Sequence, residues 1–412
     1  MLTGQLRELL FRLFSFKFQF IENMSELPAP SSQALEVSTE LARLIRSEIE
    51  QAGGAIPFSR YMELCLYAPG LGYYSAGHQK FGPGGDFITA PELSPLFGRC
   101  LARSCAAVLE TLGGGDLLEF GAGSGRLVVD LLGEMSRMNC LPGRYYILER
   151  SAELKQRQQE TLQKELPQLL DTVVWIDTLP PSGFRGVMLA NEVLDAMAVE
   201  RFRWTGSEVE WFDVIASGDG FEWRTRLAPA GQEQAVIKAL ATECEMAAGF
   251  VSEANLAIGP WMQAVAEVLE CGLLLLIDYG YPRHEYYHAQ RGQGTLMCHY
   301  QHRAHDNPLL WPGLQDITAH VDFTAVAEAA VAAGLSVAAY TTQAWFLLDS
   351  GLDDFLQQAG PTDTVEYMRQ AQQAKTLILP GEMGERFKCI GLTRDFDQAI
   401  PGFRMQDMRA RL

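Results

Sequence analysis

Residues 116–127 constrain this chain more than any other stretch. Leu117, Leu118 and Phe120 read as a short apolar strand, Gly121, Gly123 and Gly125 as a turn, and Arg126 onward as the start of a helix. Three glycines at alternate positions let bare backbone press against a ligand, and the free N–H groups of a helix start receive its acceptor atoms. That is the shape of a nucleotide-cofactor site. It departs from the dinucleotide turn in two ways: the third glycine follows after one residue rather than two, and an acid, Glu119, stands two residues before the first glycine. A nicotinamide oxidoreductase is therefore the weaker reading.

At 412 residues and 48% apolar content, the chain can build one large domain with insertions, or two domains. Its net charge of −18 argues against nonspecific binding to nucleic acid or anionic lipid and suits a basic substrate. Eight cysteines form no Cys-x-x-Cys pair and no zinc spacing, so they read as reduced, packed thiols. No run approaches the ~20 apolar residues of a membrane span, so stable membrane insertion is not expected. These features suggest a cytoplasmic protein. Residues 1–24 carry Arg7, Arg12 and Lys17 among many Leu and Phe. They read as an extension outside the fold or, alternatively, as a transit peptide that would place the protein in the mitochondrial matrix.

Residues 25–115 open with an amphipathic helix through Leu41, Ile45 and Ile49, then a second short helix through Tyr61 and Leu64. An aromatic turn, Tyr67 to Tyr74, and a glycine-rich loop at 85–94 follow, and helix resumes over 92–112. From Asp116 strand and helix alternate, which implies a parallel sheet. Strands are expected at 117–120, 144–148, 173–176, 186–190 and 273–277, with a closing antiparallel pair at 336–340 and 387–393. Between 199 and 227 three short segments read as β-hairpin strands, part of an insertion at about 198–260. The core is placed at 116–398, and 399–412 is a tail.

In open α/β sheets the ligand sits beyond the carboxyl ends of the strands. Those ends are polar here. Glu149, 24 residues past Gly125, suits a ribose, with a helix cap or an ion pair to Arg150 as the plainer role. Asp177 would meet an adenine amino group or be only a loop acid. Glu119 would either stand near the far end of the cofactor or hold the glycine turn. Asn191, Glu192 and Asp195 follow a buried strand, and Glu192 and Asp195 would share a face if a helix begins there. The plain role is an N-cap; the functional one is a paired carboxylate holding a cationic nucleophile, bidentate if that is a guanidinium. His284, Glu285 and His288 spell His-Glu-x-x-His, but Pro282 before and Gly292 after leave no long helix to carry a zinc site. No metal is expected.

An acid followed by this Gly-x-Gly-x-Gly turn resembles the cofactor turn of S-adenosylmethionine-dependent methyltransferases. Together with the motifs at 85–94, 190–196 and 315–323, it makes the chain resemble the MidA-like methyltransferases from about Ile56 to Thr393. That family includes the mitochondrial complex I assembly factor 7 type of protein arginine methyltransferase. The resemblance implies a class I methyltransferase, Rossmann-like α/β fold: a seven-stranded, mostly parallel sheet under an N-terminal helical cap. It implies S-adenosyl-L-methionine as cofactor and a protein substrate, in mitochondrial members a respiratory complex I subunit. Carried over, Gly121, Gly123 and Gly125 form the cofactor turn, Glu149 takes the ribose, and the loop with Asp86 and Thr89 closes over the cofactor. Asn191, Glu192, Asp278 and His320 line the substrate side, with Glu192 orienting the nucleophile and Asp278 or His320 receiving a proton. A non-catalytic assembly factor that keeps the cofactor pocket is the alternative.

Overall fold

A computed structural model describes residues 27–75, 89–358, 360 and 364–412; the extension 1–24 and Asp86 lie outside the described residues. Helix α1, Ser32–Gln51, turns Leu41, Ile45 and Ile49 inward at helical spacing, and the Ser31 hydroxyl caps it by accepting from the Ala34 N–H at 3.2 Å. Helix α2, Phe58–Tyr67, buries Tyr61, Leu64 and Cys65. The single helix expected over 92–112 is two, α3 (Ala90–Leu93) and α4 (Pro95–Leu112). Ser94 breaks them by adopting an extended conformation and capping α4, which Pro95 starts without an orphaned N–H.

Strands and helices then alternate: β1 (Asp116–Phe120), α5 (Arg126–Arg137), β2 (Tyr145–Leu148), α6 (Ala152–Glu165), β3 (Val173–Ile176) and β4 (Phe184–Asn191). Later come β5 (Leu269–Tyr281), β6 (Val321–Asp322), β7 (Ser336–Thr342) and β8 (Phe387–Arg394). They form one mixed sheet in the order β7-β8-β5-β4-β1-β2-β3. β3 to β5 run parallel, and β8 is antiparallel to both β5 and β7. An eighth strand, unforeseen because two residues carry no periodicity, is β6, which pairs with Gly280 and Tyr281 at the end of β5.

Strand β5 explains the layering. Leu273, Leu275 and Ile277 enter the apolar cluster on one face, with Phe97, Leu101 and Leu127 of α4 and α5. Leu274 and Leu276 enter the cluster on the other, with Met262 and Phe323. A strand covered on both faces reads as a continuous apolar run.

A second sheet contains Glu200–Trp204, Val209–Ser217, Gly220–Leu227 and Phe250–Ala254, and recruits Ile56–Pro57 from the N-terminal region onto Val214 and Asp213. The helix after Pro282 spans only Arg283–Tyr286, so His284 and His288 do not share a helix. Among the described residues no helix is long and apolar enough to cross a membrane.

Strands β1, β4 and β5 approach closely where Asp116, Gly186 and Gly272 stand in register. Gly272 has φ 135°, and a Cβ there would lie 1.9 Å from the Gly186 carbonyl oxygen. Gly133, inside α5, has open space around its Cβ position. Gly272→Ala should therefore destabilise the protein by roughly 2–3 kcal/mol or more through overpacking, whereas Gly133→Ala should be neutral or stabilise by up to about 1 kcal/mol. Urea unfolding midpoints check both; equal shifts would contradict the close strand approach.

Candidate active site

The carboxyl ends of β1, β2 and β4 open into a cavity of about 1470 Å³. Small-molecule sites usually measure roughly 300–1,000 Å³, so this one has room for a cofactor and part of a second reactant. Among the described residues its wall carries ten acidic side chains and three basic ones, Arg60, Arg126 and Arg150. Two of the three are already engaged: Arg60 with Glu48 at 2.6 Å and Arg126 with Asp130 at 2.6 Å. The cavity is an environment for cations.

On the cofactor side, Gly121, Gly123 and Gly125 have φ of 63°, 54° and 83°, left-handed conformations that side-chain-bearing residues resist. Gly121 and Gly123 line the cavity with bare backbone, while Gly125 caps the N-terminus of α5. Glu149 follows β2 and also lines the cavity. Its Oε1 accepts from the Ser151 N–H at 2.8 Å and its Oε2 from the Gln158 side-chain amide at 3.0 Å.

Gln158 is fully buried and makes two further bonds: its amide donates to the Gly123 carbonyl at 3.1 Å, and its Oε1 accepts from the Trp175 indole at 3.0 Å. One side chain thus ties the glycine turn to the acid beside it. Gln158 is absent from the residues expected at the site, yet a signal exists: it sits between Leu154 and Leu162 on the buried stripe of α6.

Glu119 lies under the turn, with Oε2 accepting from the Tyr145 hydroxyl at 2.6 Å. Burial pushes its carboxyl up to about 7, against the pull of the Tyr145 bond. Thr89 lines the cavity just before α3. Asp177 is exposed and does not join the lining. Bare glycine backbone, an oriented carboxylate at the end of the second strand and adequate volume fit the ribose and amino-acid ends of S-adenosyl-L-methionine.

Beside the glycine turn, where a Cβ on Gly121 would lie 3.8 Å from the Val193 side chain, the helix expected after Asn191 is a turn, with Glu192 at φ 53°. Glu192 and Asp195 therefore do not share a helix face, although both line the cavity. The Asn191 amide donates to Glu192 Oε1 at 3.0 Å. Asn191 Oδ1, Glu192 Oε2 and Asp195 Oδ1 are buried without a hydrogen-bond partner. Burial, then the neighbouring Asp195, push Glu192 up to about 8; burial pushes Asp195 up to about 6 against a bond from the Tyr279 hydroxyl.

Asp278 and His320 stand behind this wall rather than on it. Asp278 Oδ2 accepts from the Leu194 and Asp195 N–H groups at 3.0 and 3.2 Å. His320 stacks on Tyr281 and meets Tyr279 edge-on, its Nδ1 3.3 Å from the Thr295 carbonyl. Desolvation drives the pKa of this half-buried ring down to about 4, so it is neutral. Neither reaches a reactant in the cavity, because each is spent on the wall's own structure.

Residues 100–341 match the family described as "Putative S-adenosyl-L-methionine-dependent methyltransferase". Curated relatives include the zebrafish (Danio rerio) mitochondrial protein arginine methyltransferase NDUFAF7, 28% identical over 82% of this chain and 83% of its own. The human (Homo sapiens) protein of the same name is 29% identical over 89% of this chain and 86% of its own. A Burkholderia thailandensis crystal structure bound to S-adenosyl-homocysteine is 44% identical, superposes with a TM-score of 0.90, and covers 94% of this chain and 100% of its own. The curated relatives are named as mitochondrial, which overturns the cytoplasmic expectation. A cofactor turn, an acid-lined cavity and these likenesses lead to one conclusion: the chain belongs to the S-adenosyl-L-methionine-dependent methyltransferase family.

Proposed function

We propose that this enzyme methylates a guanidinium nitrogen of an arginine in a partner protein. The observation that carries the substrate class is the pair Asn191 Oδ1 and Glu192 Oε2, buried acceptors at the cavity wall that meet no donor. A buried acceptor without a donor costs about 1–3 kcal/mol, and a planar cation with five N–H groups offsets that for several acceptors at once. The relatives named as protein arginine methyltransferases support the same class. The resemblance extends the proposal to a respiratory complex I subunit as partner, and the acidic cavity speaks against nucleic acid.

In this reading the seven long strands are the Rossmann-like class I core at 116–398, α1 and α2 cap it within 25–115, the second sheet is an insertion at about 198–260, and 399–412 is a tail. Gly121, Gly123 and Gly125 receive the amino-acid end of the cofactor, Glu149 its ribose, and Thr89 borders it. Glu119 supports the turn from below through Tyr145. Asp177 is left without a role at the cofactor.

S-adenosyl-L-methionine supplies a methyl group already activated on a sulfonium. The protein's own task is to align a nitrogen, exclude water and remove a proton; alignment alone contributes roughly 7–11 kcal/mol to lowering a barrier of this kind. Asn191 and ionised Glu192 hold the guanidinium. As the new N–C bond forms and the S–C bond breaks, Glu192 Oε2 takes the N–H proton. Its raised pKa makes it a stronger base than an exposed carboxylate. Asp278 and His320 act on the wall that presents Glu192.

Four outcomes test the reading. Glu149→Ala should weaken S-adenosyl-homocysteine binding by about tenfold to a hundredfold, the equivalent of one charge-assisted hydrogen bond, measured by calorimetry; unchanged affinity would remove Glu149 from the ribose. Methyl-labelled proteomes of cells with and without the protein should differ in a methylarginine peptide that returns with the wild type and not with Glu192→Gln; a methyl-lysine peptide instead would overturn the arginine assignment. With that substrate, Glu192→Gln should leave cofactor affinity nearly intact and lower kcat by roughly 10²–10⁴. Because Glu192 must be ionised to bind the cation and its pKa is about 8, wild-type kcat/KM should rise with pH up to that value. The variant should lose this rise.

A further inference from the structure

A second set of groups converges on the substrate wall. Asp195 is 5% exposed, lines the cavity and leaves Oδ1 without a partner. Asp316 also lines it; it comes from the strand Asp316–Thr318, far along the chain. A backbone tie holds these segments together: the Ala319 N–H donates to the Asp195 carbonyl at 3.1 Å. From the N-terminal region, the Tyr74 hydroxyl donates to Asp316 Oδ1 at 3.0 Å. Tyr67 stacks on Tyr74 with ring centroids 5.5 Å apart, and its own hydroxyl donates to the Ala196 carbonyl at 2.9 Å. Both rings line the same cavity.

We infer that the acceptor side chain is gripped from two directions: Asn191 and Glu192 form one jaw, Asp195 and Asp316 the second, and Tyr74 sets the second jaw by holding Asp316. The inference rests on the arginine reading and deepens it by naming the residues that select the cation. A compact ammonium directs three N–H groups from one point, whereas a guanidinium spreads five around a plane and bridges acceptors on separate segments. An aromatic wall adds a face on which a flat cation stacks. Asp316 is thereby a substrate-binding, specificity-determining residue, and Tyr74 a positioning residue that acts through it.

The test uses the full chain saturated with S-adenosyl-homocysteine and two probes, N-acetyl-arginine amide and N-acetyl-lysine amide, titrated by NMR. The wild type should bind the arginine compound at least tenfold more tightly than the lysine compound. Asp316→Asn should weaken the arginine compound at least tenfold and erase that preference, with S-adenosyl-homocysteine affinity within twofold of the wild type as the control for folding. Tyr74→Phe, which removes one hydroxyl and keeps the ring, should fall between the two. If both variants bind the arginine compound as the wild type does while Glu192→Gln does not, the second jaw is refuted and the arginine reading stands. If the wild type shows no preference for the arginine compound, the arginine reading falls and the second jaw falls with it.

Discussion

Leu194 and Asp195 both direct their backbone N–H groups at one oxygen of Asp278, and the other oxygen accepts from the Tyr279 N–H at 2.9 Å. Asp278 is 1% exposed, in the carboxyl-terminal part of strand β5. A helix starting at residue 192 would leave these N–H groups as ordinary orphans at its N-terminus. Satisfied by Asp278 instead, the chain makes a turn, and that turn holds Glu192 at φ 53°. Such a conformation costs a side-chain-bearing residue about 1–2 kcal/mol. Its consequence is positional: Glu192 and Asp195 reach the cavity from separate points of a turn rather than side by side on a helix.

The same arrangement concentrates acid where water is scarce. Desolvation raises Glu192, Asp195 and Asp278 together; Asp195 further raises Glu192, and both raise Asp278. Between the unfolded carboxylate range near pH 4.5 and about 8, the folded protein keeps protons that the unfolded chain has released. These sites therefore contribute less stability as pH rises through that window. A bound cation reverses the balance, because it stabilises the ionised forms. The substrate wall is thus least comfortable when empty, a state that makes binding a cation favourable without any change of shape.

Much of this was legible from residue patterns, and the exceptions have physical causes. The seven long strands follow from apolar runs such as 273–277, and the cofactor turn from three glycines behind Glu119. The break at Ser94 was signalled by Pro95 but was overridden by the helical periodicity on either side. Strand β6 and the strand Ile56–Pro57 are two residues each, too short to carry a period, and exist only because a partner strand is already in place. At the site, acids at strand ends pointed to the cavity wall but not to depth: Asp278 is spent on the N–H groups of Leu194 and Asp195 and His320 on the rings of Tyr279 and Tyr281, so neither lines the cavity. Asp316 and Tyr74 join the site through contacts spanning 242 positions, which no local pattern encodes.

The short helix α3 connects the two halves of the site. Its Glu92 accepts from the Ser124 hydroxyl inside the glycine turn. Its first residue, Ala90, stands close enough to Glu192 on the substrate wall for its N–H to draw that carboxyl's pKa down against burial. One four-residue element therefore touches the cofactor turn and the proposed base at once. The extended conformation of Ser94 makes this possible, since it frees α3 from the axis of α4, whose Phe97, Leu101 and Leu109 are fixed in the core. A continuous helix from residue 90 to 112 would carry Ala90 along that axis instead, about 1.5 Å per residue. The interruption at Ser94 thus serves the site more than the fold: it lets the rigid core end where it must, while the residues before it answer to the cofactor and the acceptor.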